Sequence, residues 1–352
     1  MALRAAALTV IAAVGFSCGS TARTSSGASV RWIAFHADPG GSDDLFLTTP
    51  DGSRRRRLTR GLEQVASPFW SPDGRRLAFL APVGSPDVYV IRPDGRGLRR
   101  LTSGGGFFDL AWSPDSKRLA ASRCAPPTCD LFVLSATQGR PRLLARESSQ
   151  PAWSPDGRRI VFLSTRDGEP EIYVADADGS GQRRLTDSPG EDADAAWSPD
   201  GSSIAFDSKR TGNSQIYVMR PDGSDQRRVV VDGWYDAQPR WSPGGRRILF
   251  TSFRNRDPNL RGIGNAEIEV VDADGSELRN LTHSRFWEGD PAWSPGGTRL
   301  AFAVRRNFGP TGNFRVATMR SDGTRKRLLP PVLYRGRAAN SCCPAWQPRD
   351  AR

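Results

Sequence analysis

His36 and His283 are the only histidines in 352 residues, so a histidine-rich metal centre is excluded. A Ser-His-Asp arrangement needs one imidazole and survives that count. No Gly-x-Ser-x-Gly elbow stands in a strand–turn–helix context to carry its nucleophile, however. Neither a P-loop nor a dinucleotide fingerprint occurs. The chain offers carboxylates instead: Asp109, Asp192, Asp194, Asp236 and Asp290 recur shortly before tryptophans. Oxygen ligands of this kind suit calcium rather than a transition metal, although such residues more often bond loop N–H groups or face water. No cofactor is required by the sequence, and calcium is the one candidate. Paired carboxylates are also the chemistry of glycan cleavage, but the acidic loop residues are too many to nominate a pair. No catalytic residue is assigned, and the chain reads as a binding protein rather than an enzyme.

The elements that position these residues are set by one repeated pentapeptide. It reads Trp70-Ser71-Pro72-Asp73-Gly74, and returns at Trp153 and Trp197. Variants begin at Trp112, Trp241 and Trp293, and a degraded copy begins at Trp346. The period of 41 to 53 residues is that of propeller blades. Each copy is followed by short Val-, Ile-, Tyr- and Phe-rich runs between Gly and Asp turns, the signal of hairpins. After Trp153 these are Ile160-Val161-Phe162, Ile172-Tyr173-Val174, Asp178-Gly179 and Leu185-Thr186. Counting the strand that carries the tryptophan, each unit has four strands. Proline fixes φ in the turn, glycine takes positive φ, and aspartate accepts backbone N–H bonds. Tryptophan is an apolar plate between sheets. The first unit, from Val30, lacks an in-register tryptophan, and the last has only its first strand. Together they make one blade. The expectation is an all-β, seven-bladed propeller of four-stranded blades, closed by the C-terminal strand joining the N-terminal three.

These motifs, from Trp32 to about Pro348, resemble the TolB-type propeller family, whose repeats carry the same Trp-Ser-Pro-Asp-Gly signature. The resemblance implies an envelope protein that binds a peptidoglycan-associated lipoprotein at its propeller. The TolB protein itself has six blades and a separate N-terminal domain, whereas this chain counts seven blades and leaves no room for that domain. Related propellers precede serine peptidase domains.

The Ser-Pro-Asp-Gly and Asp-Gly turns fall on one rim, short and uniform. The loops after each second strand, and those entering the next tryptophan strand, fall on the other and vary. Loops held by a rigid scaffold are the usual place for binding. The candidate binding residues are therefore Trp234, Tyr235 and Asp236; Arg254, Arg256, Asp257 and Arg261 in the loop Phe253–Ala266; Arg285, Phe286 and Trp287; and Arg306 and Phe308 in the loop from Arg305 to Phe314. Aromatics flanked by arginine are common interface anchors; the alternative is that they cap blade interfaces.

Residues 1–17 read as a signal peptide: Arg4 supplies the positive region and Ala5 to Phe16 the apolar one. Cys18 resembles a lipoprotein lipidation site, with 18–29 as a flexible tether before the single propeller domain, 30–350. The chain is then either anchored on the outer face of a bacterial membrane or secreted or periplasmic. The net charge of +12 is almost all arginine, since Lys117, Lys209 and Lys326 are the only lysines. Arginine pairs such as Arg99-Arg100 and Arg183-Arg184 precede each outer edge strand, where charge blocks edge pairing. Spread around the ring, they argue against a nucleic-acid groove. Cys124 and Cys129 flank a tight loop between paired strands and are expected to form a disulfide. Cys342 and Cys343 are placed just before the closing strand, with their pairing open. The function expected is a monomeric, noncatalytic envelope scaffold binding a protein or polymer, with no nucleic-acid partner. The membrane is reached only through a lipid anchor. The alternative is a glycan- or peptide-cleaving propeller enzyme.

Overall fold

Blade 4 shows why these residues make a four-stranded sheet. Its strands are Ser148–Trp153, Glu171–Asp176, Arg183–Arg184 and, between the first two, Arg159–Ser164. Trp153 lies opposite Ile160, and Phe162 opposite Tyr173, so one face of the pleat is large and apolar. The turn between the first two strands is closed by its own side chains. Ser154 Oγ donates to Asp156 Oδ1 at 2.6 Å and accepts from the Arg159 N–H at 2.9 Å, while Gly157 takes φ +69°.

The chain is represented by a computed structural model that describes residues 31–348 apart from 39–42, 63, 83–84, 255–264, 306–313, 335–336 and 339. Cys18 with the whole N-terminal segment, and Arg256, Asp257, Arg261, Arg306 and Phe308, lie outside the described residues. Seven four-stranded antiparallel sheets are present, and a two-stranded ribbon, Leu333–Tyr334 with Arg337–Ala338, precedes the last strand. That last strand, Asn340–Trp346, pairs with Ile33–Asp38 and makes blade 1 composite. The remaining blades begin at Ala66–Trp70, Phe107–Trp112, Ser148–Trp153, Asp192–Trp197, Tyr235–Trp241 and Trp287–Trp293.

The core is a set of layers between successive blades. Val161, Ile172 and Val174 of blade 4 pack on Trp197, Ile204 and Phe206 of blade 5. The other face of blade 4, with Trp153 and Phe162, packs back on Ala120 and Leu131 of blade 3. Each such side chain, fully buried, contributes about 1.5–3 kcal/mol.

Polar contacts stitch the same layers. In five blades the indole N–H of the repeat tryptophan donates to a carbonyl of the preceding blade, as Trp112 to Phe69 at 3.1 Å, Trp153 to Ala111 at 3.2 Å and Trp293 to Arg240 at 3.2 Å, whereas those of Trp197 and Trp346 are buried without a partner. An arginine at the start of the second strand then covers the next blade's tryptophan, with Arg118 4.6 Å from the Trp153 ring and Arg159 4.9 Å from the Trp197 ring.

Two expectations need correction. The paired arginines do not precede the outer strands; Arg99–Arg100, Arg183–Arg184 and Arg227–Arg228 are those strands. One arginine of a pair reaches the next blade, as Arg183 does to the Asp222 carbonyl at 2.6 Å. The other salt-bridges a buried acid in its own blade, as Arg184 does with Glu171 at 2.6 Å. Much of the charge is thus spent on joining blades. Cys342 and Cys343 lie within the closing strand, not before it, because pairing with Ile33–Asp38 begins at Asn340.

Candidate functional site

The first strand of each blade runs down the central channel, and each carries a bulge. Three residues before the tryptophan stand Ser67, Asp109, Gln150, Asp194, Gln238, Asp290 and Cys343. All seven have positive φ, between 48° and 60°. The ladder slips one register at each of these bulges, as between Ser149 and Ala152. A bulge re-aims a side chain, and here it forms a seven-membered ring in which Asp and Gln alternate over five blades. The ring is also hydrogen-bonded around: Gln150 Oε1 accepts from the Asp194 N–H at 3.0 Å, and Asp109 accepts from the Gln150 backbone. The channel, with the repeat tryptophans and prolines in its wall, encloses about 160 Å³.

Burial, then the charge of Asp194, raises the Asp109 carboxyl to about 6. Asp194 is raised by burial against the pull of Arg240. Behind it Asp207, nearly inaccessible, is raised well above the carboxylate range by burial and by Asp194, and Ser214 Oγ donates to it at 3.0 Å. The Asp194–Asp207 pair therefore holds a proton where both groups would otherwise be ionised. On the opposite side His36 is pushed down to about 4 by burial, so it is neutral; its Nδ1 accepts from the Ser67 N–H at 3.4 Å. Of the five acids singled out in the sequence, Asp109, Asp194 and Asp290 enter this ring. Asp192 instead binds Arg210 at 2.9 Å, and Asp236 binds Gln215 at 3.1 Å, both buried at the loop rim. Among the described residues no three His, Cys, Asp or Glu side chains gather to hold a metal ion.

On the loop rim the nominated residues divide. Trp234 is 40% exposed, and its backbone N–H is held by Asp232 Oδ1 at 3.0 Å. Tyr235 meets Phe253 edge-on at 5.7 Å. Asp236 is fully buried, which pushes its carboxyl up to about 8. Arg254 is salt-bridged to the buried Glu269. Arg285 is exposed and lies 5.3 Å from the Phe286 ring, while Phe286 packs on the core between blades 6 and 7. Trp287 meets Phe314 edge-on at 5.4 Å. Thr282, His283, Arg285, Phe286, Glu288 and Lys326 surround a cleft of about 490 Å³ there. Cys124 and Cys129, opposite each other in register, are joined by a disulfide on the same rim in blade 3.

Sequence reasoning missed Gln150, Gln238, Asp207, Arg240 and Glu269. Aligning blades would have exposed Glu269, since it stands in the column of Tyr173 and Tyr217, each opposite a second-strand phenylalanine.

The family model "TolB beta propeller domain" (PD40) matches residues 110–349. The Tol-Pal system protein TolB of Bordetella pertussis is 31% identical over 156 residues. That match takes in 42% of this chain, and the chain spans 35% of that protein's length. Among solved structures, TolB of Acinetobacter baumannii superposes with a TM-score of 0.60 at 20% identity, covering 90% of this chain and 82% of that one. An oligogalacturonate lyase of Vibrio parahaemolyticus superposes with a TM-score of 0.62 at 16% identity, covering 77% and 82%. Puromycin hydrolase shares the fold as well. These likenesses correct the expectation of a protein more likely not an enzyme: the fold serves enzymes too, so the propeller is no argument against catalysis. With seven closed blades built on the repeated turn, and a family match across most of its length, the chain belongs to the TolB β-propeller family.

Proposed function

We propose that the protein is an exported envelope scaffold whose loop rim, over blades 5 to 7, binds another envelope protein. The observation that carries the reading is the contrast between rims. One is tiled by near-identical turns; the other presents the exposed Trp234 and the Arg285 cleft. Exposed tryptophan and arginine side chains on one rim are the residue types enriched among interface anchors. The family's propellers support an envelope partner, and the residues 1–17 and Cys18 support export with a lipid anchor. In this reading residues 30–350 form one monomeric domain. Cross-linking in intact cells tests it. Trp234→Ala and Arg285→Ala should remove one envelope protein from the cross-linked set, and cross-links confined to the turn rim would reject the proposal. Cys18→Ala should move the protein out of the membrane fraction.

A second reading is favoured by the Asp194–Asp207 pair, both carboxyls raised by burial, beside a channel carboxylate, Asp109, raised to about 6. In that reading the channel cleaves a glycan or peptide. A screen of such substrates with Asp194→Asn as the control decides it: turnover by the wild type that the variant retains would exclude the pair.

A further inference from the structure

Blade 6 breaks the polar pattern of its neighbours. In blades 4 and 5 the sequence Phe-x-Ser-x-Arg closes on itself: Arg166 Nε donates to Ser164 Oγ at 2.9 Å, and Arg210 Nε to Ser208 Oγ at 2.7 Å. Each guanidinium lies over a tyrosine, Tyr173 or Tyr217, at 4.9 and 4.7 Å. In blade 6 the tyrosine is Glu269, and Arg254 turns to it. Ser252 Oγ and Arg254 Nε are then buried without a hydrogen bond of ordinary geometry.

Around Ser252 several other oxygens share that state. Asp236 stands opposite Ser252 in the ladder with the Ser252 hydroxyl beside its carboxyl; its Oδ2 accepts from Gln215, and its Oδ1 makes no hydrogen bond of ordinary geometry. Gln215 spends its Nε2 on Asp236 and on the Trp234 carbonyl, which leaves Oε1 unmatched and buried. Asp232 gives Oδ1 to the Trp234 N–H, and its Oδ2 is buried without a donor and close to Asp236. Glu269 Oε2 completes the set. Gln215, Asp236, Ser252 and Glu269 are at most 2% exposed. A buried acceptor without a donor costs a few kcal/mol, and such groups are rare singly in native proteins. Here they converge. Arg254 pairs with Glu269, whereas the side-by-side carboxyls of Asp232 and Asp236 make no salt bridge among the described residues.

The geometry points to a divalent-cation site between blades 5 and 6, of calcium class, held by Asp232 and Asp236 with Ser252 and Gln215 supplying neutral oxygens. Hard oxygen donors with two carboxylates are what calcium takes. With only two carboxylates, the affinity expected is that of extracellular modules, a Kd on the order of 0.1–1 mM. The ion would fasten the segment 232–236 and with it the exposed Trp234, whichever partner the rim binds.

Calorimetric titration of the chelator-treated full chain with calcium tests the site, alongside thermal unfolding. One calcium per chain should bind, and the midpoint should rise about 2 °C at ten times the Kd. Asp232→Asn, on a surface segment, and Asp236→Asn should each weaken binding at least tenfold, whereas Asp109→Asn in the channel should not. The absence of heat and of a midpoint shift with calcium, magnesium and manganese overturns the proposal. Binding that survives Asp232→Asn and Asp236→Asn but is lost in Asp109→Asn overturns it as well, by placing the ion in the channel.

Discussion

Blades 4 and 6 have the same strand order and match one buried acid alike, Glu171 and Glu267 each accepting from a threonine hydroxyl and a serine N–H, yet they part in the column of Tyr173, which in blade 6 is Glu269. In blade 4, Glu171 is matched by Arg184, by the Thr186 hydroxyl at 2.6 Å and by the Ser188 N–H at 3.1 Å. Arg166 is matched by Ser164 and by Gln182 at 2.6 Å. In blade 6, Glu269, Asp236, Ser252 and Arg254 each keep an atom without a partner. A repeat protein sums similar units, and the contrast is sharpest against blade 4, since blade 5 also leaves Asp192, Asp207 and Gln215 each with an unmatched buried atom.

The most severe way to break blade 4 is Trp153→Ala. It removes a buried plate and the bond to the Ala111 carbonyl, and should cost about 3–5 kcal/mol in denaturant unfolding. An equal loss from an exposed substitution such as Leu98→Ala would show the layers are not the core.

The sharpest test of blade 6 is its pH dependence, measured in chelator. Burial raises Asp236 from the ordinary carboxylate range to about 8. Between those values the folded state holds a proton the unfolded state has released, so stability falls as pH rises. Each such proton adds a slope of at most about 1.4 kcal/mol per pH unit. Asp236→Asn should abolish the part between pH 6 and 8 and be more stable than the wild type above pH 8. His36 works the other way: its folded value is about 4, so stability rises with pH from there to its unfolded value near 6.5. A wild type with no slope between pH 6 and 8 would show Asp236 ionised throughout.

Smaller effects follow from restoring the pattern. Glu269→Tyr, which returns the residue of blades 4 and 5, should stabilise the apo protein by about 1–2 kcal/mol in the same unfolding assay, and a loss would show that Glu269 is well matched where it stands. Arg118→Ala removes only the cation over Trp153 and should cost about 0.5–1 kcal/mol.

The blades were legible because a tryptophan, a Ser-Pro-Asp-Gly turn and three apolar runs repeat in order, and composite closure followed from counting strands at the two ends. The bulges were not. One extra residue per first strand leaves no mark on apolar alternation, and Asp109 and Asp192 look equivalent until the register slip sends one to the channel and the other to the rim. The arginines were read as edge guards because their number is visible in the sequence, whereas their partners, carbonyls of the next blade, carry no side-chain signature. At the candidate site Trp234 was found by type, but its buried supports were not, since Glu269 and Gln215 matter only as departures from a column that the fold defines.

Trp32 and Gln347 bond to each other across 315 positions of sequence, by Gln347 N–H to the Trp32 carbonyl at 2.8 Å and Trp32 N–H to Gln347 Oε1 at 3.3 Å. A ring fastened this way has no complete first blade until its last strand is available. During synthesis, amino end first, Ile33–Asp38 emerges early and waits with one edge open. Such an edge is a template for wrong pairing. The latch that makes the finished propeller seamless therefore places the protein's greatest exposure to misassembly at its birth, and makes Asn340–Trp346 the strand whose arrival ends it.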